Sequence, residues 1–326
     1  MKSLLSRSLL AAAGLLLAAG AQAQDKFTYM TNWYAQAEHG GFYQAVATGI
    51  YKKYGLDVTI KMGGPQVNIM QLMAAGQADC IMGSSDLQMM IARSGGLPIV
   101  TVAAIFQKDP QVLISHDDVG SFEEMKGKTI FIAPSAQRGY WLWLKQKYGF
   151  TDAQTRPYTF NIQPFVADKD AVQQGYLTSE PFAIQKAGVK AKAHLFADQG
   201  WTSYATTISC MDATVKDRNK AVAAFVKGTM EGWKSYLADP APGNALIKKD
   251  NPNMSDEQLA YSVAKLKEMG IVTGMDAPRL GIGMMNEQRI AANYKFLVDN
   301  KLVEADKVKP ADAYNFSFIK DAKVMP

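Results

Sequence analysis

Phe27-Thr28-Tyr29-Met30-Thr31 leads into Asn32-Trp33-Tyr34-Ala35-Gln36-Ala37-Glu38-His39-Gly40-Gly41-Phe42-Tyr43, where a predicted strand ends and a predicted helix begins. Phe42, Val46 and Ile50 recur every four residues and share one helical face, and Gly55 stands where a C-terminal cap would end that helix. Leu56, Val58, Ile60 and Met62 then alternate as a strand. Gly63-Gly64-Pro65 turns the chain into a second helix, Gln66 to Ala75, closed by Gly76. Ala78 to Met82 reads as a short buried strand, Ser85 and Gln88 as a capping box opening a third helix, and Pro98 to Phe106 as another strand. This alternation predicts an α/β fold with a mostly parallel sheet flanked by helices.

A second block repeats the grammar. Ser121-Phe-Glu-Glu caps a short helix, Lys128 to Ala133 is a strand, and Ser135 is the N-cap of a helix running through Tyr148. Further strands are expected at Tyr158 to Ile162, Tyr176 to Ser179 and His194 to Ala197, with helices near Asp170 and Phe182. After a strand at Tyr204 to Met211, long helices follow at about 217–237, 255–269 and 284–300. No Pro/Gly/Ser linker separates the blocks. A chain that crosses between lobes on continuous strands makes a hinge with a cleft above it, and such clefts are preferred ligand sites.

Of 326 residues, the first 23 have the three parts of a secretory signal: Lys2 and Arg7, the apolar run Leu9 to Gly20, and Ala21-Gln22-Ala23, with a cut expected after Ala23. The run is too short to span a bilayer, which takes about twenty residues. Hydrophobic residues at 48% and charged residues at 20% describe a chain that buries a core, not a disordered one. Net charge is +5, and Lys2 and Arg7 supply two of those charges; with no dense Lys/Arg cluster, nucleic acid is not an expected partner. Export would permit one bridge between Cys80 and Cys210, yet neighbouring strand positions rarely meet disulfide geometry, which favours free thiols.

Enzyme templates fail. His39, His116 and His194 lie far apart, so no zinc spacing exists, and there is no nucleophile elbow, P-loop or C-x-x-C. No metal, cofactor or catalytic residue is implied. What recurs is polar and aromatic residues at strand-to-helix edges, where ligands of open α/β sheets bind. Asn32, Trp33, Tyr34, Glu38 and His39 hold the first edge and Ser84 and Ser85 the third. Ser135, Arg138 and Trp141 open the second block, Tyr176 and Glu180 flank a later edge, and Trp201 precedes the returning strand. Each also has a plain structural reading: Trp33, Tyr34 or Trp141 as core, His39 or Ser135 as a cap.

Trp33-x5-His39-x-Gly41-Phe42-Tyr43 followed by Gly49-x-Tyr51-x3-Gly55-Leu56-x-Val58 resembles the opening of periplasmic solute-binding proteins of ABC importers, in the branch that binds thiamine pyrimidine precursors. The wider group takes nitrate, sulfonates and taurine. Met73-Ala-Ala-Gly76-x-Ala78-Asp79, Gly96-x-Pro98, Met125 to Lys128, Ser179-Glu180-Pro181-Phe182 and Leu237-Ala-Asp-Pro240 continue the likeness over nearly all of the mature chain. The resemblance implies a two-lobed periplasmic binding protein fold of type II, with 24–113 plus 205–326 as lobe one and 114–204 as lobe two. It also implies a monomer in the periplasm that closes on a small-molecule ligand and docks on an ABC permease at the inner membrane.

Fungal pyrimidine synthases of the same superfamily are the enzymatic alternative. They resemble this chain but carry a Lys and a His after the third strand and a cysteine cluster near the returning strand; Gly83 to Leu87 has neither, and only Cys210 stands on the returning strand. For the ligand, Trp33 with Trp141 or Tyr34 would clasp a planar ring, Glu180 would accept from a ring amino group, and Asn32 and Ser84 would complete the rim. A sulfonate or nitrate would need a cation, for which Arg138 is the candidate, and a flavin is a larger alternative.

Overall fold

The computed structural model describes residues 24–320 and 322–326; the expected signal segment, 1–23, lies outside them. Ten strands follow in chain order: β1 (Asp25–Met30), β2 (Leu56–Lys61), β3 (Cys80–Ser85), β4 (Ile99–Phe106), β5 (Gln111–His116), β6 (Ile130–Ile132), β7 (Thr155–Pro157), β8 (Val172–Tyr176), β9 (Ala191–Leu195) and β10 (Ala205–Met211). They form two five-stranded sheets, ordered β2-β1-β3-β10-β4 and β7-β6-β8-β5-β9. In each, three neighbours run parallel and the fourth position is an antiparallel strand that has just crossed from the other block: β10 in the first sheet, β5 in the second. Each sheet is therefore mixed and mostly parallel, with helices around it. The crossovers are short, residues 107–110 and 196–204, so the expected boundary at 113 falls inside β5, a strand of the second sheet.

The first sheet is held by an aromatic stack. Phe27 and Tyr29 of β1 lie against Phe225 and Phe42 with centroids 4.6 Å apart, which joins the strand to the helices Gly40–Ala47 and Asn219–Ala238. Gly40 and Gly41 let those helices touch: a Cβ on either would sit about 2 Å from the rings of Tyr236 and Trp233. The predicted first helix is split, because Gly49 turns left-handed at φ 72° and Ile50–Lys53 starts anew.

Strand placement in the second block departs from expectation. β7 stops at Pro157, so Tyr158 to Ile162 is irregular chain, and the strand expected at 176–179 is β8, four residues earlier. β8 reads Val-Gln-Gln-Gly-Tyr, with no apolar alternation: both glutamines are buried, and Gln174 accepts hydrogen bonds from the Ala133 N–H and the Tyr140 hydroxyl. Ser135 caps nothing; a 3-10 turn, Pro134–Arg138, precedes the helix Tyr140–Tyr148. Cys80 and Cys210 form a disulfide, against the expectation of free thiols. They are directly opposed in the antiparallel β3–β10 pair, with Cα atoms 4.3 Å apart, the close spacing that alternate cross-strand pairs adopt.

Candidate functional site

Both crossovers run along the floor of a cleft between the sheets. Asp109, on the first, accepts the Ser203 hydroxyl at 2.7 Å and the Trp201 indole N–H at 3.3 Å, both on the second, and its other oxygen accepts the Gln111 amide N–H. One buried carboxylate thus ties the two hinge strands together. Burial pushes its pKa up to about 6 even though three donors favour the charged form.

Above that floor lies an inner chamber. Trp33 forms its aromatic wall. The Thr31 hydroxyl donates to the Trp33 carbonyl at 2.9 Å and receives the Gly63 N–H, which fixes the turn leaving β1. Across the cleft the Tyr158 ring lies nearly parallel to Trp33, at 17° and 6.1 Å between centroids, and Phe160 meets it edge-on. Phe160 holds φ 64°, a left-handed conformation that a bulky residue takes only when its surroundings impose it. The Tyr158 hydroxyl donates to Glu180 at 3.0 Å, and the Tyr176 backbone N–H donates to the other Glu180 oxygen at 2.8 Å. Burial again raises the carboxyl pKa, opposed by those donors.

The charged side chains lining the inner chamber are Asp109 and Glu180, both acids; among the described residues no Lys, Arg or His lines it. Asn32 Oδ1 and Gln36 Oε1, on its wall, are buried acceptors without partners. The chamber is an acceptor-rich slot with an aromatic wall. It suits a planar molecule that brings N–H donors, and it opposes an anion, since burying unbalanced negative charge is costly.

Asn32, Ser84, Gln88 and Ser135 also belong to a second, outer chamber. Asn32 donates to the Ser84 hydroxyl at 2.8 Å, and the Gln88 side chain donates to the Ser135 carbonyl at 3.0 Å. Ser85 does cap its helix, accepting the Gln88 N–H, but the expected reciprocal bond is absent because the Gln88 amide reaches across the cleft instead.

Of the residues singled out from the sequence, Asn32, Trp33, Ser84, Ser85, Ser135, Tyr176, Glu180 and Trp201 line the inner chamber, while Arg138 lines the outer one. Tyr34 backs Trp33 and packs on Phe160 and Gly64. Glu38 lines neither chamber; it is buried and accepts the Thr178 hydroxyl of the other block, and desolvation raises its pKa to about 7. His39 is likewise shut away from the cleft, its ring nitrogens unpartnered and its pKa lowered to about 3 by burial. Trp141 is core: fully buried, it packs on Phe150 and donates to Asp152 at 2.7 Å. Gln36, Gln88, Asp109, Gln111, Tyr158 and Gln174 were missed. The Asp109-Pro110 turn after β4 obeys the same sheet-edge rule and was findable; the glutamines of β8 carried no local pattern. Among the described residues no His/Cys/Asp/Glu group of three is placed to hold a metal, and no helix is long and apolar enough to cross a membrane.

Two mixed sheets joined by paired crossovers over a ligand-sized cleft define the periplasmic binding protein fold. A solved ligand-binding component of an ABC-type import system from Staphylococcus aureus superposes with a TM-score of 0.66, at 12% identity, over 92% of this chain and 99% of that one. The chain belongs to the NMT1/THI5-like family, whose model matches residues 36–242. It is similar to the riboflavin-binding protein RibY of Chloroflexus aurantiacus (24% identity, 66% of this chain and 64% of that one). It is also similar to the formylaminopyrimidine-binding protein of Halalkalibacterium halodurans, at 22% identity over 78% of this chain and 82% of the relative. A pyrimidine phosphate synthase of Aspergillus parasiticus matches at 26% identity over 32% of each chain. The matched stretch therefore spans just under two thirds of the riboflavin-binding relative and about one third of the synthase.

Proposed function

We propose that the chain is the solute-binding component of an ABC-type importer and that its cleft captures a small nitrogen heteroaromatic with exocyclic N–H donors, a pyrimidine of the thiamine-precursor kind. The observation that carries this reading is the inner chamber itself: the Trp33 wall faces unpartnered acceptors and two acids, with no cation. A sulfonate or nitrate placed there would meet Asp109 and Glu180 unbalanced; Arg138, the cation it would need, lines the other chamber. The formylaminopyrimidine-binding relative supports the ring class. In this reading each sheet carries one lobe, the 107–110 and 196–204 crossovers act as the hinge, and the closed monomer hands unchanged ligand to an inner-membrane permease. Residues 1–23 would direct export to the periplasm and be cut after Ala23. Gly83 to Leu87, reading Gly-Ser-Ser-Asp-Leu, offers no Lys or His for synthase chemistry.

A flavin is the second reading, favoured by the riboflavin-binding relative. A thermal-shift screen separates the classes, because ligand at a hundred times its dissociation constant adds about 2.7 kcal/mol of stability. Aminopyrimidines are expected to raise the melting temperature and to be recovered unchanged on denaturation. A shift with nitrate or taurine alone would refute the ring, and a converted ligand would make the protein an enzyme.

A further inference from the structure

The inner and outer chambers have opposite electrical character. The charged lining of the inner one is Asp109 and Glu180; that of the outer one is Arg138, which is exposed and forms no ion pair with the described residues. Between the two, the outer chamber is apolar and adaptable. Met70, Met82 and Met89 line it with Val67, and unbranched thioether side chains accommodate varied shapes. Val67 is 37% exposed, an apolar side chain left at the surface where the chamber opens. The two chambers share Asn32, Ser84, Gln88 and Ser135 as lining; the Asn32–Ser84 and Gln88–Ser135 hydrogen bonds lie on this shared wall, and Asn32 Oδ1 stands there buried and unpartnered.

We infer that the outer chamber is a second subsite, taking a tail attached to the ring and ending in a phosphate-class anion held by Arg138. This rests on the ring reading above and adds the polarity of the ligand: a donor-bearing head on the acids, an apolar middle on the methionines, an anionic end on the guanidinium. A guanidinium pairs with phosphate through two parallel N–H donors, the geometry that favours arginine for such groups. The tail is read by both blocks, since Met70, Met82 and Met89 belong to the first and Arg138 to the second, so a tailed ligand also adds contacts across the cleft.

The test is calorimetric titration of the mature chain with three probes that share one head: 4-amino-5-hydroxymethyl-2-methylpyrimidine, thiamine and thiamine monophosphate. The monophosphate is expected to bind about tenfold more tightly than thiamine, the scale of one charged hydrogen-bonded contact. Arg138→Ala should erase that increment and leave the bare pyrimidine unchanged, without weakening thiamine, whose thiazolium is itself a cation; Val67→Trp, which fills the chamber from its surface edge, should weaken thiamine and its phosphate but not the bare pyrimidine. If the pyrimidine binds while the phosphate adds nothing, or Arg138→Ala weakens all three alike, the subsite is refuted and the ring reading stands. If the pyrimidine itself does not bind, the ring reading falls and the subsite with it.

Discussion

The turn that carries Trp33 and the turn that carries Trp141 share one grammar, a strand followed by a polar residue and large aromatics at the start of a helix. Trp33 nevertheless walls the cleft while Trp141 is core. The difference lies in the backbone beneath each ring. Trp33 stands in irregular chain between β1 and the 3-10 turn Ala37–His39, so its ring is placed by the Thr31 and Gly63 contacts and stays half-buried. Trp141 is the second residue of the helix Tyr140–Tyr148, and that helix turns it toward Phe150 and Asp152. Here the aromatic residue that precedes regular structure walls the cleft, and the one inside the helix is core.

The largest effect that would break this contrast belongs to Trp141. Trp141→Ala is expected to cost about 3–5 kcal/mol of stability, as for other buried aromatic truncations, with ligand affinity retained in the folded fraction. Urea denaturation and titration on one preparation check it; lost affinity at unchanged stability would put Trp141 in the site. Next in size is Glu38, buried beside the Trp33 turn. Its folded pKa is raised to about 7 from an ordinary 4.5, chiefly by burial, with Glu180 adding like charge and Thr178 opposing. The folded state therefore favours the protonated form: stability is full below about pH 4.5 and declines as pH rises through 7, by up to roughly 3 kcal/mol. Glu38→Gln should flatten much of the fall in melting temperature between pH 5 and 7.5; a residual slope from Asp109, raised to about 6, should survive. An unchanged slope would contradict burial of that carboxyl.

Trp33→Ala is expected to weaken ligand binding by about 2 kcal/mol, a hot-spot-sized loss, while costing less in stability than Trp141→Ala. Equal losses in folding and binding would make Trp33 core. The smallest effect sharpens the same wall from the other side: Tyr158→Phe keeps the ring opposite Trp33 and removes the hydroxyl from Glu180, so about 1 kcal/mol of affinity should be lost.

The β-α alternation of the first block was legible because each strand there is apolar by turns or wholly apolar, and each helix begins or ends at a glycine or serine. Trp33, Ser84 and Glu180 were legible as sheet-edge residues. What stayed hidden is what the two blocks make jointly. Tyr158, Phe160 and Gln88 acquire their roles only when the second sheet is brought over the first. β8 was displaced in the reading because Gln173 and Gln174 are buried polar residues, and Gln174 accepts from the Ala133 N–H and the Tyr140 hydroxyl in place of apolar packing. The Cys80–Cys210 bond depended on cross-strand register, which spacing along the chain does not reveal.

The central claim is that an acidic, aromatic-walled chamber selects a donor-bearing ring over an anion. Calorimetric titration of the wild-type protein, run in parallel with an aminopyrimidine and with taurine, tests it most directly. Saturable binding of the pyrimidine and none of taurine is the predicted result; saturable binding of taurine with none of the pyrimidine would contradict it.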